Sequence, residues 1–117
     1  MKTYIIVKDQ FPAIHAWDKC PYEEVKFLRW PHRHMFHVTL KIKVTHDDRD
    51  LEFFMIKNQL SKMLHDLYAN RDLGSISCEM LCKKIRSDIR FNIDSDCNVH
   101  SISVFEDNEN GAEIVFD

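Results

Sequence analysis

Two histidines stand two residues apart in this sequence, just before a segment in which apolar and polar residues alternate. His32 and His34 share the parity of Phe36, the first apolar residue of that segment. Alternate side chains of a β-strand project from one face, so both imidazoles are predicted to lie at the end of a core-facing row. Imidazole is a frequent ligand of zinc, and this arrangement suits coordination of one ion. The alternative is a pair of hydrogen-bonded or solvent-exposed histidines that precede a strand.

A third histidine, His15, stands in a second alternating row. Phe11 and Ala13 share its parity, in a strand that the pattern predicts over residues 4–17 with a bulge at Pro12. A histidine among apolar neighbours is either a packed core residue or a further metal ligand. The row alone leaves both interpretations open.

An acidic residue, Glu106, ends the apolar row that contains Ile102 and Val104. A carboxylate in that position can accept two parallel hydrogen bonds from the guanidine-like edge of a ligand. Alternatively, Glu106 only opens the polar turn over residues 107–109. Parity therefore marks Glu106 as a candidate binding residue without excluding a purely local role.

The composition is that of a globular protein of 117 residues, which predicts a single domain over residues 1–117. Lys and Arg total 16 against 19 Asp and Glu, so no basic surplus favours a nucleic-acid partner. No apolar run is long enough for a membrane span, and the N-terminus lacks a signal-peptide pattern. The four cysteines form no Cys-x-x-Cys motif, which favours a reducing, cytoplasmic location.

Two helices are predicted in the middle of the chain, after a strand that ends near His46. Apolar residues at spacings of three and four predict the first helix. These residues are Phe53, Ile56, Leu60, Met63, Leu64 and Leu67. Ser77 is predicted to cap a second helix that continues to Ile89.

Two further strands are predicted near the C-terminus, over residues 99–105 and 112–116. A polar segment over residues 92–98 precedes them, and Asn110-Gly111 predicts the turn that joins them. The element order is therefore β-β-α-α-β-β. This order predicts an α+β fold, an antiparallel sheet with both helices on one face.

Five short motifs follow one another along the chain. They are Phe11-x-Ala13-x-His15, His32-Arg33-His34-Met35-Phe36, Glu52-Phe53-x-x-Ile56-Lys57, Ser77-Cys78-Glu79 and Ser103-Val104-Phe105-Glu106. Together they resemble the motifs of the 6-pyruvoyltetrahydropterin synthase and 6-carboxytetrahydropterin synthase family, over nearly the whole chain. The resemblance implies the tunnelling fold, in which subunit sheets join edge to edge into a barrel. It also implies a homo-oligomer, usually a hexamer, with active sites between subunits.

The resemblance assigns a role to each matching residue. His15, His32 and His34 would hold a Zn2+ ion, and Glu106 would grip a pterin ring. Ser77 and Glu79, in the entry to the second helix, would bind substrate. The implied function is a zinc-dependent lyase step on a dihydropterin triphosphate or a related purine-derived compound.

The chain departs from the family in its proton-transfer residues. Leu28 occupies the position of the catalytic cysteine, four residues before His32, and Cys20 in the same loop is either the base or an inert thiol. Residues 67–69 read Leu-Tyr-Ala where the family has Leu-Asp-His, and the nearby His65-Asp66 has the reverse order. These departures support an alternative function: a non-catalytic member that binds zinc and a pterin-like ligand.

Overall fold

The computed structural model describes residues 1–90 and 98–116, so most of the predicted polar segment 92–98 lies outside the described residues. The described strands are β1 (Thr3–His15), β2 (His32–Val44), β3 (Val99–Glu106) and β4 (Asn110–Val115). The α-helices are α1 (Phe53–Leu67) and α2 (Cys78–Asp88), and 3-10 turns with a kink at Val25 cover Glu23–Arg29 in the loop before β2.

The four strands form one antiparallel sheet in the order β1-β2-β3-β4. Both α-helices cover the same face, with α1 on β1 and α2 on β3 and β4. The apolar row of β2 (Phe36, Val38, Leu40 and Ile42) is fully buried beneath them. The predicted α+β fold with two helices on one face is confirmed.

Strand β1 differs from the prediction in two respects. It pairs with β2 without a register shift, so the bulge expected at Pro12 does not form, and it ends at His15 rather than Trp17. Pro12 fits because β1 is an edge strand. Its carbonyl oxygen accepts from Asn70 N, and two residues later Ile14 N donates to Arg71 O. The nitrogen of Pro12 therefore faces away from β2, where no ladder hydrogen bond is lost.

Side chains cap the N-termini of both helices. Glu52 accepts a hydrogen bond from Met55 N at 2.9 Å before α1, and Ser77 accepts one from Met80 N at 3.1 Å before α2. The predicted cap at Ser77 is thus confirmed, although α2 ends at Asp88, one residue before Ile89. Within the described residues, neither helix has the length and apolar character needed to cross a bilayer.

The hairpin between β3 and β4 turns earlier than the Asn110-Gly111 pair predicts. Asp107 and Asn108 have φ of 53° and 57°, and Glu109 N donates to Glu106 O at 3.0 Å. Asp and Asn tolerate this left-handed conformation better than most residues. Gly111 instead lies within β4, where an added Cβ would stand 2.1 Å from the carbonyl oxygen of Val104. That glycine permits a close approach of two strands.

Candidate metal centre and adjoining cavity

Three histidines and one glutamate from three strands meet at one end of the sheet. His15 lies directly opposite His32, and His34 lies opposite Ala13 in the same ladder. Glu106 ends β3 on the far side of β2. One ligand atom from each of the four side chains lies within 4.8 Å of the corresponding atom of every other. The structure therefore brings together all four residues that the sequence patterns singled out here.

The Nδ1 atom of each histidine faces an oxygen acceptor. The pairs are His15 with Ile76 O at 2.8 Å, His32 with Trp30 O at 2.8 Å, and His34 with Asp107 Oδ2 at 2.7 Å. A carbonyl or carboxylate oxygen can only accept, so each Nδ1 is assigned the proton. In a neutral ring, the Nε2 lone pair is then free to bind a cation.

The three Nε2 atoms are buried and have no hydrogen-bond partner among the described residues. Glu106 Oε2 lies 2.8 Å from Nε2 of His15 and 3.5 Å from Nε2 of His34, as an ionic contact without hydrogen-bond orientation. Electron-pair donors that face one another in a buried site are stabilised by a metal ion or a proton between them. Imidazole nitrogens with one carboxylate are a donor set that zinc accepts. The cluster is compatible with a bound metal ion.

The charges of the cluster influence one another. Burial lowers the pKa of His15, but the close contact with the ionised Glu106 and the hydrogen bond to the Ile76 carbonyl outweigh it and raise this pKa above its usual value. The contact with His15 lowers the pKa of Glu106 despite burial, and the nearby His34 lowers it further. Glu106 is therefore ionised at neutral pH and faces the histidines as an anion.

The segment that follows α1 fixes the position of His15. Residues 71–74 run beside the end of β1 and exchange backbone hydrogen bonds with it. These bonds are Ile14 N to Arg71 O at 2.9 Å, Leu73 N to Ile14 O at 2.7 Å, and Ala16 N to Gly74 O at 3.0 Å. Gly74 adopts φ of 75°, which glycine reaches without strain. The segment thereby delivers the Ile76 carbonyl to Nδ1 of His15.

A cavity of about 610 Å³ adjoins the cluster, a size suited to a small molecule. Its wall combines apolar and polar groups. The lining residues are His15, Ala16, Trp17, Leu28, His32, Ser75, Ile76, Ser77, Cys78, Glu79, Met80, Glu106, Asn110 and Gly111. The predicted substrate-binding residues Glu106, Ser77 and Glu79 all lie on this wall.

Cys20 does not line this cavity. Its side chain is buried, and its Sγ atom lies 3.8 Å from the carbonyl oxygens of Tyr22 and Val25. Leu28 does line the wall, in the position where the resemblance expects a cysteine. The thiol on the wall is that of Cys78, whose pKa is raised to about 12 by burial and by the charge of Glu106.

The residues considered for a proton relay also lie apart from the cavity wall. His65 Nδ1 is bonded to Ser61 O, and Asp66 pairs with Lys62, both on the exposed surface of α1. Tyr68 is buried, and its hydroxyl donates to Asp88. Its pKa is raised by burial and by that bond. These groups serve the helix and the core rather than the cavity.

Sequence reasoning did not identify Asp107 as part of the site. It was predicted only as a turn residue, yet its carboxylate accepts from His34 Nδ1. The hydrogen bonds that Asp107 accepts from the Met35 backbone N–H and from His34 lower the pKa of Asp107. This carboxylate is therefore also ionised at neutral pH. The sequence does show an acidic residue directly after the core-facing Glu106. The direction of the Asp107 side chain, however, depends on the left-handed backbone conformation of the turn.

The four-stranded antiparallel sheet with both helices on one face defines an α+β protein, in agreement with the predicted tunnelling fold. Among solved structures, the chain is similar to 6-pyruvoyl tetrahydropterin synthase of Caenorhabditis elegans, with a TM-score of 0.77 and 14% identity. The alignment covers 100% of this chain and 97% of that chain. No family model and no curated protein matches the sequence. The predicted resemblance is thus confirmed at the level of the fold.

Proposed function

We propose that this chain binds zinc through His15, His32 and His34 and holds a dihydropterin triphosphate, or a related purine-derived compound, in the adjoining cavity. The observation that carries the proposal is the convergence of three buried, unpartnered Nε2 atoms beside that cavity. The motif resemblance suggests the class of ligand, and the likeness in fold supports it.

Three neutral imidazoles leave one coordination position for a ligand or water, the pattern of catalytic zinc sites. When bound, zinc would supply Lewis-acid polarisation of ligand oxygens. The chain prepares this site by holding the proton of each ring on Nδ1. The Nε2 lone pair of each ring is thereby left free for an ion.

Glu106 is suited to recognise the heterocycle because it contacts His15 and also lines the cavity. An ionised carboxylate can accept two parallel N–H bonds from a guanidine-like edge. The start of α2 forms another part of the wall, with Ser77 and Glu79. The Ser77 oxygen accepts from Met80 N, so its hydroxyl hydrogen is available to a ligand.

A lyase step on this ligand needs an acid–base group within hydrogen-bond reach of the migrating proton. Cys20 is turned to backbone carbonyls, Leu28 carries no proton to exchange, and Cys78 is a thiol with a raised pKa. These observations favour the second candidate function, zinc and ligand binding without turnover, over the zinc-dependent lyase.

We also propose that the chain assembles as a homo-oligomer, as the resemblance implies. β1 and β4 are the two edge strands of the sheet. Unpaired strand edges favour pairing with another chain, which closure into a barrel would satisfy. Native mass spectrometry should detect a multimer such as a hexamer, and a monomer at micromolar concentration would contradict this proposal.

The metal is tested by elemental analysis of purified wild type, His34→Ala and His37→Ala. His37 is the matched control because it projects from the opposite face of the same strand. About one zinc per chain is expected in the wild type and in His37→Ala, with loss in His34→Ala. A folded wild type that stays metal-free in added zinc would overturn the proposed function.

Zinc-loaded protein is then titrated with 7,8-dihydroneopterin triphosphate in a calorimeter, and the mixture is analysed for products by chromatography. Binding without product is expected for the non-catalytic function. Product formation that is unchanged in Cys20→Ala would instead establish a lyase that uses another base. Absence of both binding and product would contradict the proposed ligand class.

A further inference from the structure

The carboxylate of Asp107 ties the β3–β4 turn to the strand that carries two of the candidate metal ligands. Oδ2 accepts from His34 Nδ1 at 2.7 Å, and Oδ1 accepts from the backbone N–H of Met35 at 2.9 Å. The backbone N–H of Asp107 donates in turn to Met35 O at 2.8 Å. The side chain is therefore held at both oxygens, and its direction is fixed.

His34 differs from the other two candidate ligands in the group that accepts its Nδ1 hydrogen bond. His15 and His32 donate from Nδ1 to backbone carbonyls, which are neutral acceptors. His34 donates to an ionised side chain, and a charged acceptor makes a stronger hydrogen bond. Asp107 reaches this position only because its backbone adopts φ of 53°, an uncommon conformation for a residue with a side chain.

We propose that Asp107 is a positioning residue of the metal centre, which holds His34 in the tautomer that directs the Nε2 lone pair at the ion. The inference rests on the proposed metal-binding function. A carboxylate behind a ligating histidine fixes the ring and strengthens it as a donor. Asp107 thus acts through His34 and does not itself contact the ion.

Asp107→Asn is the sharpest test, because the backbone N–H of Met35 determines the orientation of the asparagine side-chain amide. The Met35 N–H is a backbone donor, so the Asn oxygen must face it and the Asn NH2 must face His34 Nδ1. A donor there forces the imidazole proton onto Nε2, which removes the lone pair from the site. Asn also tolerates φ of 53°, so the turn itself should survive.

Asp107→Gly is the matched control, since glycine adopts this φ without strain and removes the carboxylate. His34 is partly exposed, so water can bond to Nδ1 in either tautomer. Zinc affinity, measured by competition with a chromophoric chelator, should fall roughly 10-fold in Asp107→Gly and roughly 100-fold in Asp107→Asn. Thermal unfolding of both metal-free variants should match the wild type within a few degrees.

A purely structural role for Asp107 predicts the opposite order, because Asn preserves size and turn preference. Equal zinc affinity of wild type and Asp107→Asn would overturn the inference. Nitrogen-15 NMR of the His34 ring in metal-free protein gives an independent readout: the proton should be on Nδ1 in wild type and on Nε2 in Asp107→Asn. An unchanged tautomer would also overturn it, whereas a wild type without zinc binding would refute the proposed function alone.

Discussion

Oε2 of Glu106 lies 2.8 Å from Nε2 of His15, although strand β2 separates the strands that these two residues end. The contact is possible because both side chains project from the helix-covered face at the same end of the sheet. It places an ionised carboxylate in the histidine cluster and on the wall of the cavity. Glu106 is therefore within reach of both the candidate metal ligands and a molecule in the cavity.

Substitution of Glu106 by Gln should weaken heterocycle binding while zinc is retained. Three histidines suffice to hold zinc, so metal content should stay near one per chain. Hydrogen bonds to a charged group are worth about 1.5–3 kcal/mol, which predicts a roughly 10- to 100-fold loss of ligand affinity in calorimetry. Glu109→Gln, in the exposed turn nearby, is the control and should bind as the wild type. Unchanged affinity in Glu106→Gln would rule out its role in ring recognition.

Removal of zinc should lower the stability of the folded chain. An ion present at 100 times its Kd stabilises the folded state by about 2.7 kcal/mol. For a chain of this size, that corresponds to a rise in Tm of roughly 10 °C. The measurement is thermal unfolding with zinc and with EDTA, for wild type and for His32→Ala. A zinc-dependent shift that persists in His32→Ala would contradict the assigned ligand set.

Cys78 should react slowly with iodoacetamide although it lines the cavity. Its pKa of about 12 leaves a thiolate fraction at pH 8 of roughly one in ten thousand, against roughly a quarter for an ordinary thiol. Labelling of the metal-free protein should accelerate as pH rises towards 12, and Glu106→Gln should speed it by removing a negative charge. Peptide-resolved mass spectrometry separates Cys78 from the other cysteines. Labelling of Cys78 at pH 8 as fast as in urea-unfolded protein would disprove this prediction.

Gly111→Ala should destabilise the protein more than Gly74→Ala. A methyl group at Gly111 would lie 2.1 Å from the backbone oxygen of Val104. Because this clash involves backbone, β3 and β4 would have to move apart, which would distort the hairpin. The expected loss is about 3 kcal/mol or more. At Gly74 the space is open but φ is 75°, so a loss of about 1–2 kcal/mol is expected. Urea unfolding of both variants measures the difference in the free energy of unfolding. Equal losses would show that the close approach at Gly111 does not determine the cost of the substitution.

Much of the fold could be predicted because the local patterns agree with the tertiary structure. The alternation after Phe36 predicted β2, and the apolar spacing predicted α1. Parity also placed His32, His34 and Glu106 on the core-facing side of their strands. Side-chain direction in a strand has a period of two, so it can be read without knowing the neighbouring strands.

Other features could not be predicted from local pattern. Asn110-Gly111 is a strong turn signal, yet the chain turns at Asp107 and Asn108, because the strand register leaves Gly111 opposite Phe105. Cys20 is close to Leu28 in sequence, yet its thiol is turned from the cavity that Leu28 lines. Turn position and loop direction depend on pairing between distant segments, which a local pattern does not contain.

The sequence by itself determined which side chains face the core and which of them can donate an electron pair to a metal ion. Only the tertiary structure decided which way those donors point. Three acceptors fix the tautomers of the histidines: the carbonyls of Ile76 and Trp30 and the carboxylate of Asp107. Residue types set the available chemistry, but hydrogen-bond direction arises only when segments distant in the chain pack together.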